Sequence, residues 1–169
     1  MAIATLHDLY VEELKDLYNA EHQLLKALPK MATAASNTEL SQAFTDHLEE
    51  TKGQVERLEQ IFKDLGVSPL GKKCKAMEGL LEEGQDVMAE DAEPAVLDAA
   101  LIATAQRVEH YEMAGYGCVR TFARLLGYDE AADLLQETLD EEGSTDKHLT
   151  DLAESVINAE AVSPVTSDA

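Results

Sequence analysis

The sequence predicts an all-α fold, in which two helical hairpins pack as a four-helix bundle and are joined by a long crossover with a short extra helix. Apolar residues recur at helical spacing over four long stretches. The composition is 45% hydrophobic with no Trp, only 9 Gly and 4 Pro among 169 residues, and long runs of Leu, Ala, Glu and Gln that favour helix. A chain of this length is expected to form one domain, here residues 1–159.

The first hairpin is predicted from its turn signals. An amphipathic stretch predicts a first helix from about Thr5 to Ala35. Ser36-Asn37-Thr38 is a turn and N-cap signal, so the second helix begins there and continues to about Leu65. Glycines and a proline in residues 66–71 then end it.

The crossover is predicted at about residues 66–93. Three lysines lead into a short apolar pattern around Leu80 and then an acidic stretch ending at Glu93, which indicates one short helix.

The second hairpin begins at Pro94, a residue favoured in a first helical turn. The third helix is predicted to run to about Leu126, and Gly127-Tyr128-Asp129 forms the next tight turn. The fourth helix covers about Glu130 to Ala159, and we expect residues 160–169 to form a flexible tail.

The charge limits the classes of partner. The net charge is −21, from 34 acidic and 13 basic residues, which argues against binding to nucleic acid or to an anionic membrane. The same charge is compatible with cation handling and with a salt-rich habitat, and composition does not separate the two. No run of about 18 apolar residues indicates a membrane span.

The first eight residues lack the pattern of a signal peptide. The two cysteines, Cys74 and Cys118, are too few for a disulfide framework or a zinc site. We therefore expect a cytoplasmic protein with two reduced thiols.

Four glutamates are predicted to face the core, one from each helix. Glu21 and Glu50 lie within the apolar stripes of the first two helices. A shift of 91 residues superposes the hairpins and places Glu21 on Glu112 and Glu50 on Glu141. Four carboxylates in an apolar interior need cations or protons to offset their charge.

Such a set, one carboxylate per helix, is typical of a carboxylate-bridged di-metal centre. Three alternatives stay open, namely surface glutamates on a misplaced stripe, glutamates paired with a basic residue such as Arg57 or Arg107, and a cluster of carboxyls that share protons. We favour the metal centre, because clusters of buried ionisable groups often mark functional sites.

Three further residues are secondary candidates for metal ligands. Glu109 is either a ligand or a solvated charge at the edge of the stripe. His47 is either a ligand or a residue that supports a ligand through a hydrogen bond. Gln54 is either a weak ligand or a residue that orients a carboxylate. We expect Glu142 and His148 to be exposed, and His22 and His110 to face away from the site. Tyr18 and Tyr116 are expected to pack in the core.

Several segments together resemble one family. They are Leu17–Leu24, His47–Thr51 with Gln54 and Leu58, Glu109–Glu112, and Glu137–Glu142. Over nearly its whole length the chain resembles the YciF-type stress proteins, a ferritin-like family. The resemblance implies a ferritin-like four-helix bundle, a homodimer, an association with bacterial stress responses, and a di-iron or di-manganese centre with two ions per chain. By matching positions, its ligands fall on Glu21, Glu50, Glu112 and Glu141.

The sequence departs from the wider ferritin pattern at two positions. Di-iron members carry Glu-x-x-His on two helices. Here Gly53 and Ser144 occupy the expected histidine positions after Glu50 and Glu141. An all-oxygen site favours harder ions such as Mn²⁺ or Mg²⁺.

The leading hypothesis is a metal-binding stress protein that binds Fe or Mn and, if enzymatic, acts as an oxidoreductase on oxygen or peroxide. The alternative is a non-catalytic dimeric structural or interaction protein with a vestigial carboxylate cluster. A storage cage is less favoured, because no cage interface is evident in the sequence.

Overall fold

The computed structural model describes residues 3–162, which form a helical bundle. The helices are α1 (Leu6–Ala34), α2 (Thr38–Leu65), α3 (Lys75–Ala89), α4 (Pro94–Leu125) and α5 (Asp129–Leu152), followed by a π-helical turn (Ala153–Ile157) and α6 (Asn158–Val162). Helices α1 and α2 form one hairpin, α4 and α5 form the other, and α3 packs against α1 and α4. The predicted bundle of two hairpins with a helical crossover is confirmed, and α3 makes it a five-helix bundle.

Local sequence signals set the ends of the first hairpin. Thr5 begins α1 with a capping box, because its hydroxyl accepts from the Asp8 amide at 3.1 Å and the Asp8 carboxylate accepts from the Thr5 amide at 2.9 Å. The side chain of Asn37 accepts from the backbone amides of Glu39 and Leu40 in the first turn of α2. Gly66 ends α2 in the left-handed conformation, with a φ of 66° that favours glycine.

Asp98 ties the first hairpin to the second. Its side chain on α4 is buried and accepts from the backbone amides of Ser36 and Asn37 at 2.7 and 2.8 Å. The α1–α2 turn is thereby fixed against the start of α4. Farther along the bundle, α1 and α4 approach closely at Gly115, where a Cβ atom would lie 2.8 Å from Cδ2 of Leu17.

The end of the chain differs from the prediction in detail. We predicted one continuous helix from Glu130 to Ala159, whereas the backbone changes to a π-helical turn at Ala153–Ile157 and resumes as α6. Residues 160–162 of the predicted tail are helical, and residues 163–169 lie outside the described part of the chain. None of the described helices is both long and apolar enough to cross a membrane.

A layer of buried polar side chains divides the core into two apolar clusters. One cluster contains Leu24, Phe44, Leu101 and Leu149, and the other contains Leu14, Leu58, Val119 and Leu135. Eight buried polar residues in the described part of the chain lie near the middle of the long helices, whereas Asp98 and Thr104 are buried closer to the start of α4. We call this set the polar layer: Glu21, His47, Thr51, Gln54, Glu109, Glu112, Thr138 and Glu142.

Candidate metal centre

The polar layer brings together four groups that ligate metals. His47, Glu109, Glu112 and Glu142 are all buried, and each offers one ligand atom within 4.8 Å of the others. Glu21 is also completely buried, and its charge is close enough to affect the pKa of Glu112. The cluster therefore contains four carboxyl groups and one imidazole from four helices.

Helical spacing explains why these side chains meet. Glu109 and Glu112 are three residues apart on α4, so they lie on one face. On α2, His47 and Gln54 are seven residues apart, which is two helical turns, and both face the same interior. Glu21 on α1 and Glu142 on α5 complete the layer, and after burial the charge of Glu142 is the next cause of the raised pKa of Glu21.

His47 connects the surface to the interior of the cluster. Its Nδ1 lies 3.3 Å from Oε2 of Glu50, whose side chain is 44% exposed. Its Nε2 lies 3.3 Å from Oε1 of Glu109 and 3.9 Å from Oε2 of Glu142. In the tautomer that donates its Nδ1–H to Glu50, the ring presents the Nε2 lone pair to the carboxyls, as in many metal-binding histidines.

Hydrogen bonds from neighbouring side chains fix two of the carboxyls. The Tyr116 hydroxyl donates to Oε1 of Glu21. The Gln54 amide donates to Oε1 of Glu142 and, at 3.2 Å, to Oε2 of Glu141. One oxygen of Glu21 and one of Glu142 are left facing the cluster.

Many buried polar atoms in the layer lack a hydrogen-bond partner. They are Oε2 of Glu21, Oε2 of Glu109, both carboxyl oxygens of Glu112, Oε2 of Glu142, Nε2 of His47 and Oε1 of Gln54. An unsatisfied buried polar group costs about 1–3 kcal/mol of stability, and more if it is charged. Such a concentration of unpaired acceptors in one place is the donor set that a cation requires.

The electrostatics of the polar layer also favour a bound cation when the carboxyls are ionised. Burial, and then the neighbouring acidic groups, holds the pKa values of Glu21, Glu109 and Glu112 well above the ordinary value of 4.5. Without a cation, burial therefore favours the protonated form of these carboxyls. A divalent cation would displace the protons and stabilise the ionised form.

Comparison with known proteins agrees with this architecture. Residues 5–162 match the family described as Domain of unknown function (DUF892). The chain belongs to the DUF892 family. It is 51% identical over 162 residues to Protein YciF of Escherichia coli K12, covering 95% of this chain and 98% of that protein.

Solved structures of similar proteins share the fold. The crystal structure of the E. coli stress protein YciF matches with a TM-score of 0.89 over 92% of this DUF892 chain and 99% of that one, at 51% identity. YcfI from Rhodopseudomonas palustris matches with a TM-score of 0.85 and 47% identity over 88% and 94% of the two chains. A Xanthomonas campestris protein at 20% identity shares the fold, with a TM-score of 0.73 over 92% and 96% of the chains.

The resemblance to YciF-type proteins is thus confirmed. The homodimer and the cytoplasmic location stay predictions for this DUF892 member, as does its lack of nucleic-acid partners.

The structure places part of the predicted ligand set inside the cluster. Glu21 and Glu112 are buried as expected, and the secondary candidates Glu109, His47 and Gln54 also lie in the polar layer. Tyr116 packs in the core as expected, and it also hydrogen-bonds to Glu21. Their role as metal ligands stays a prediction.

The inward orientation predicted for two of the four glutamates is wrong. The side chain of Glu50 is 44% exposed and meets His47 and Thr145, and that of Glu141 is 25% exposed and pairs with Arg57 at 2.5 Å. Glu141 turns to the seam between α2 and α5 because the Arg57 guanidinium lies there. Helix α2 therefore contributes His47 to the cluster in place of an inward glutamate.

Glu142, which we expected to be exposed, is completely buried. The sequence carries a signal for this position, since Leu135, Thr138, Glu142 and Leu149 form a stripe at spacings of three, four and seven residues. The superposition of the two hairpins favoured its neighbour Glu141 instead. The predicted and the observed inward positions on α5 therefore differ by one residue, which corresponds to about 100° of rotation around the helix axis.

Proposed function

We propose that the polar layer binds two divalent metal ions, manganese or iron, in a protein of the stress response. The observation that carries the proposal is the set of unpaired carboxylate oxygens gathered around the free Nε2 of His47. Hydrogen bonds between carboxyls, Glu21 with Glu112 and Glu109 with Glu142, require that one member of each pair keeps its proton, so the ionised layer needs cations instead.

Charge balance supports two ions. Four carboxylates, from Glu21, Glu109, Glu112 and Glu142, carry four negative charges when ionised, and two divalent cations offset them. His47 would add one nitrogen ligand, and the buried Oε1 of Gln54 would add a neutral oxygen. Glu50 would hold the His47 ring in the required orientation from outside the cluster.

The chemistry of these ligands favours hard or borderline ions. Oxygen donors with a single imidazole suit Mn²⁺ and Fe²⁺ better than softer metals that prefer thiolates. When bound, such ions supply redox chemistry toward dioxygen or peroxide. The chain's own residues would orient the ligands and exclude bulk water, because two apolar clusters close the layer on both sides. The stress role is supported by the relative from E. coli, which is named a stress protein.

The competing function is that of a structural or interaction protein whose carboxyls stay protonated. The raised pKa values of Glu21, Glu109 and Glu112 favour this second candidate when no metal is available.

Crystals of the protein loaded with Mn²⁺, with anomalous scattering recorded near the manganese edge, distinguish the two functions. We expect two anomalous peaks among the carboxylates of Glu21, Glu109, Glu112 and Glu142. A well-ordered polar layer without an anomalous peak would reject the metal centre.

A further inference from the structure

Tyr111 lies at the centre of a second polar network, outside the polar layer. Its hydroxyl donates to Oδ2 of Asp16 on α1, and its oxygen lies 2.9 Å from Sγ of Cys74, the N-cap of α3. A phenol has one proton to donate, and here Asp16 accepts it. The Cys74 thiol has one proton of its own, within reach of the phenol oxygen and of the Asp16 carboxylate, so the three groups form one hydrogen-bonded network.

Cys74 is held in place from several sides. Its Sγ accepts from the Met77 amide at 3.4 Å, its own amide donates to Asn19 at 2.8 Å, and its carbonyl accepts from Gln23 at 3.0 Å. The thiol is completely buried, whereas Cys118 is exposed. Because oxidants in solution react with accessible thiols, burial shields Cys74 from direct oxidation, and its hydrogen-bonded neighbour Tyr111 is only half-buried.

The Asp16 end of the network reaches the surface. Oδ1 of Asp16 lies 3.5 Å from Nζ of Lys72, and the two side chains are 14% and 30% exposed. Burial acts to raise the pKa of Asp16, but hydrogen bonds from Cys74 and Tyr111 and the charge of Lys72 lower it more. Asp16 is therefore an ionised proton acceptor with access to solvent.

We propose that Tyr111 is a redox-active residue that loses an electron to a one-electron oxidant while its proton moves to Asp16, and that Cys74 then gives its thiol hydrogen atom to the phenoxyl oxygen. The phenol releases its proton on oxidation because the phenol radical cation is a strong acid. In the balance, the oxidant gains one electron and Asp16 gains one proton. Tyr111 is restored, and the unpaired electron resides on the Cys74 sulfur.

The network borders the polar layer but does not depend on it. Tyr111 precedes Glu112 in α4, and beyond burial and the neighbouring glutamates the Cys74 thiol also raises the pKa of Glu112. The three groups of the network nevertheless act without a metal. A test on metal-free protein therefore separates the failure of this inference from the failure of the proposed metal centre.

The test uses the metal-free full-length chain and a ruthenium(III) polypyridyl oxidant generated by a light flash. Electron paramagnetic resonance of rapidly frozen samples records the tyrosyl radical. We expect Tyr111→Phe to remove most of the signal and Asp16→Asn, which lacks the proton acceptor, to decrease it. Cys74→Ser keeps a hydrogen-bond donor but lacks the reactive thiol hydrogen, so the radical should live longer than in the unmodified protein.

Two control variants match these changes. Tyr18→Phe removes a phenol that donates to the Glu59 carboxylate at 3.0 Å, and Cys118→Ser removes the exposed thiol. Neither should alter the amplitude or lifetime of the radical. The inference is overturned if Tyr111→Phe and Asp16→Asn both leave the amplitude unchanged, or if folded Cys74→Ser shows the unmodified lifetime. Circular dichroism establishes that each variant is folded.

Discussion

Glu141 and Glu142 are neighbours on α5 with opposite environments. Glu142 is completely buried and accepts a hydrogen bond from Gln54, whereas Glu141 pairs with Arg57 at 2.5 Å between α2 and α5. The two residues have the same chemistry, and only Glu142 lies among the other carboxyls of the polar layer. This difference makes them a matched pair for testing the site.

We predict that Glu142→Gln lowers the affinity for Mn²⁺ by more than about 100-fold, beyond the effect typical of a supporting residue. The substitution removes a negative ligand, while the amide keeps the size of the side chain. Glu141→Gln removes the same charge outside the cluster and should change the affinity much less. Competition with a chromophoric chelator measures both, and equal losses in the two variants would show that overall charge, not ligation, controls binding.

Glu50 is predicted to act on the metal through His47. Glu50→Ala removes the carboxylate 3.3 Å from Nδ1, so the ring loses its orienting partner. We expect about a 10- to 100-fold loss of Mn²⁺ affinity. The adjacent Glu49→Ala, which removes an exposed partner of Lys52, is the control. Isothermal titration calorimetry measures the affinity. An unchanged affinity in Glu50→Ala would show that the orientation of His47 by Glu50 does not contribute to Mn²⁺ binding.

Much of the fold could be predicted because its signals are local. The turn at Asn37, the end of α2 at Gly66 and the start of α4 at Pro94 all depend on residues within one helical turn of the boundary. The burial of Glu21 and Glu112 could be predicted because each lies in the middle of a long apolar stripe.

The remaining errors arise where neighbouring residues share a chemistry. Glu141-Glu142 is such a pair on α5, and periodicity alone does not decide which member faces inward. On α2 both Glu49 and Glu50 are exposed, and His47 takes the inward position. The decision depends on tertiary contacts, such as that between Arg57 and Glu141, which join residues more than 80 positions apart. The Tyr111–Asp16–Cys74 network is equally non-local, so its members carry no shared pattern in the sequence.

The stability of the metal-free protein should fall as the pH rises. Because the pKa values of Glu21, Glu109 and Glu112 are raised in the folded state, the unfolded chain loses these protons first, near 4.5. The stabilisation that these three glutamates provide is complete below that pH and is lost as the pH rises toward their pKa values in the folded state. The pKa values of Asp16 and Glu50 are lowered in the folded state, so these two groups change the stability only at more acidic pH.

Thermal unfolding in chelator from pH 5 to pH 8 measures this dependence. We expect the melting temperature to decrease across the range, and Glu112→Gln to flatten the slope. Glu56→Gln, which removes an exposed carboxylate, controls for the overall charge. Identical slopes in the two variants would mean that buried protons contribute nothing to the pH dependence.

The contact between α1 and α4 predicts a difference between two glycines. A Cβ at Gly115 would lie 2.8 Å from Leu17 Cδ2, whereas a Cβ at Gly117 has no neighbour within 4 Å. Both substitutions to Ala gain the same helix propensity. Gly115→Ala should therefore be less stable than Gly117→Ala by about 1–3 kcal/mol, as measured by urea unfolding. Equal stabilities would show that Leu17 moves aside at no cost.

The metal content of the folded protein tests the central claim most directly. The full-length chain is stripped with chelator, reconstituted with Mn²⁺ or Fe²⁺, freed of loosely bound ions by gel filtration and analysed by inductively coupled plasma mass spectrometry. We predict about two ions per chain, the number that offsets four carboxylates. Folded protein that retains less than about a tenth of an ion per chain with either metal would contradict the metal centre and favour a protonated structural cluster.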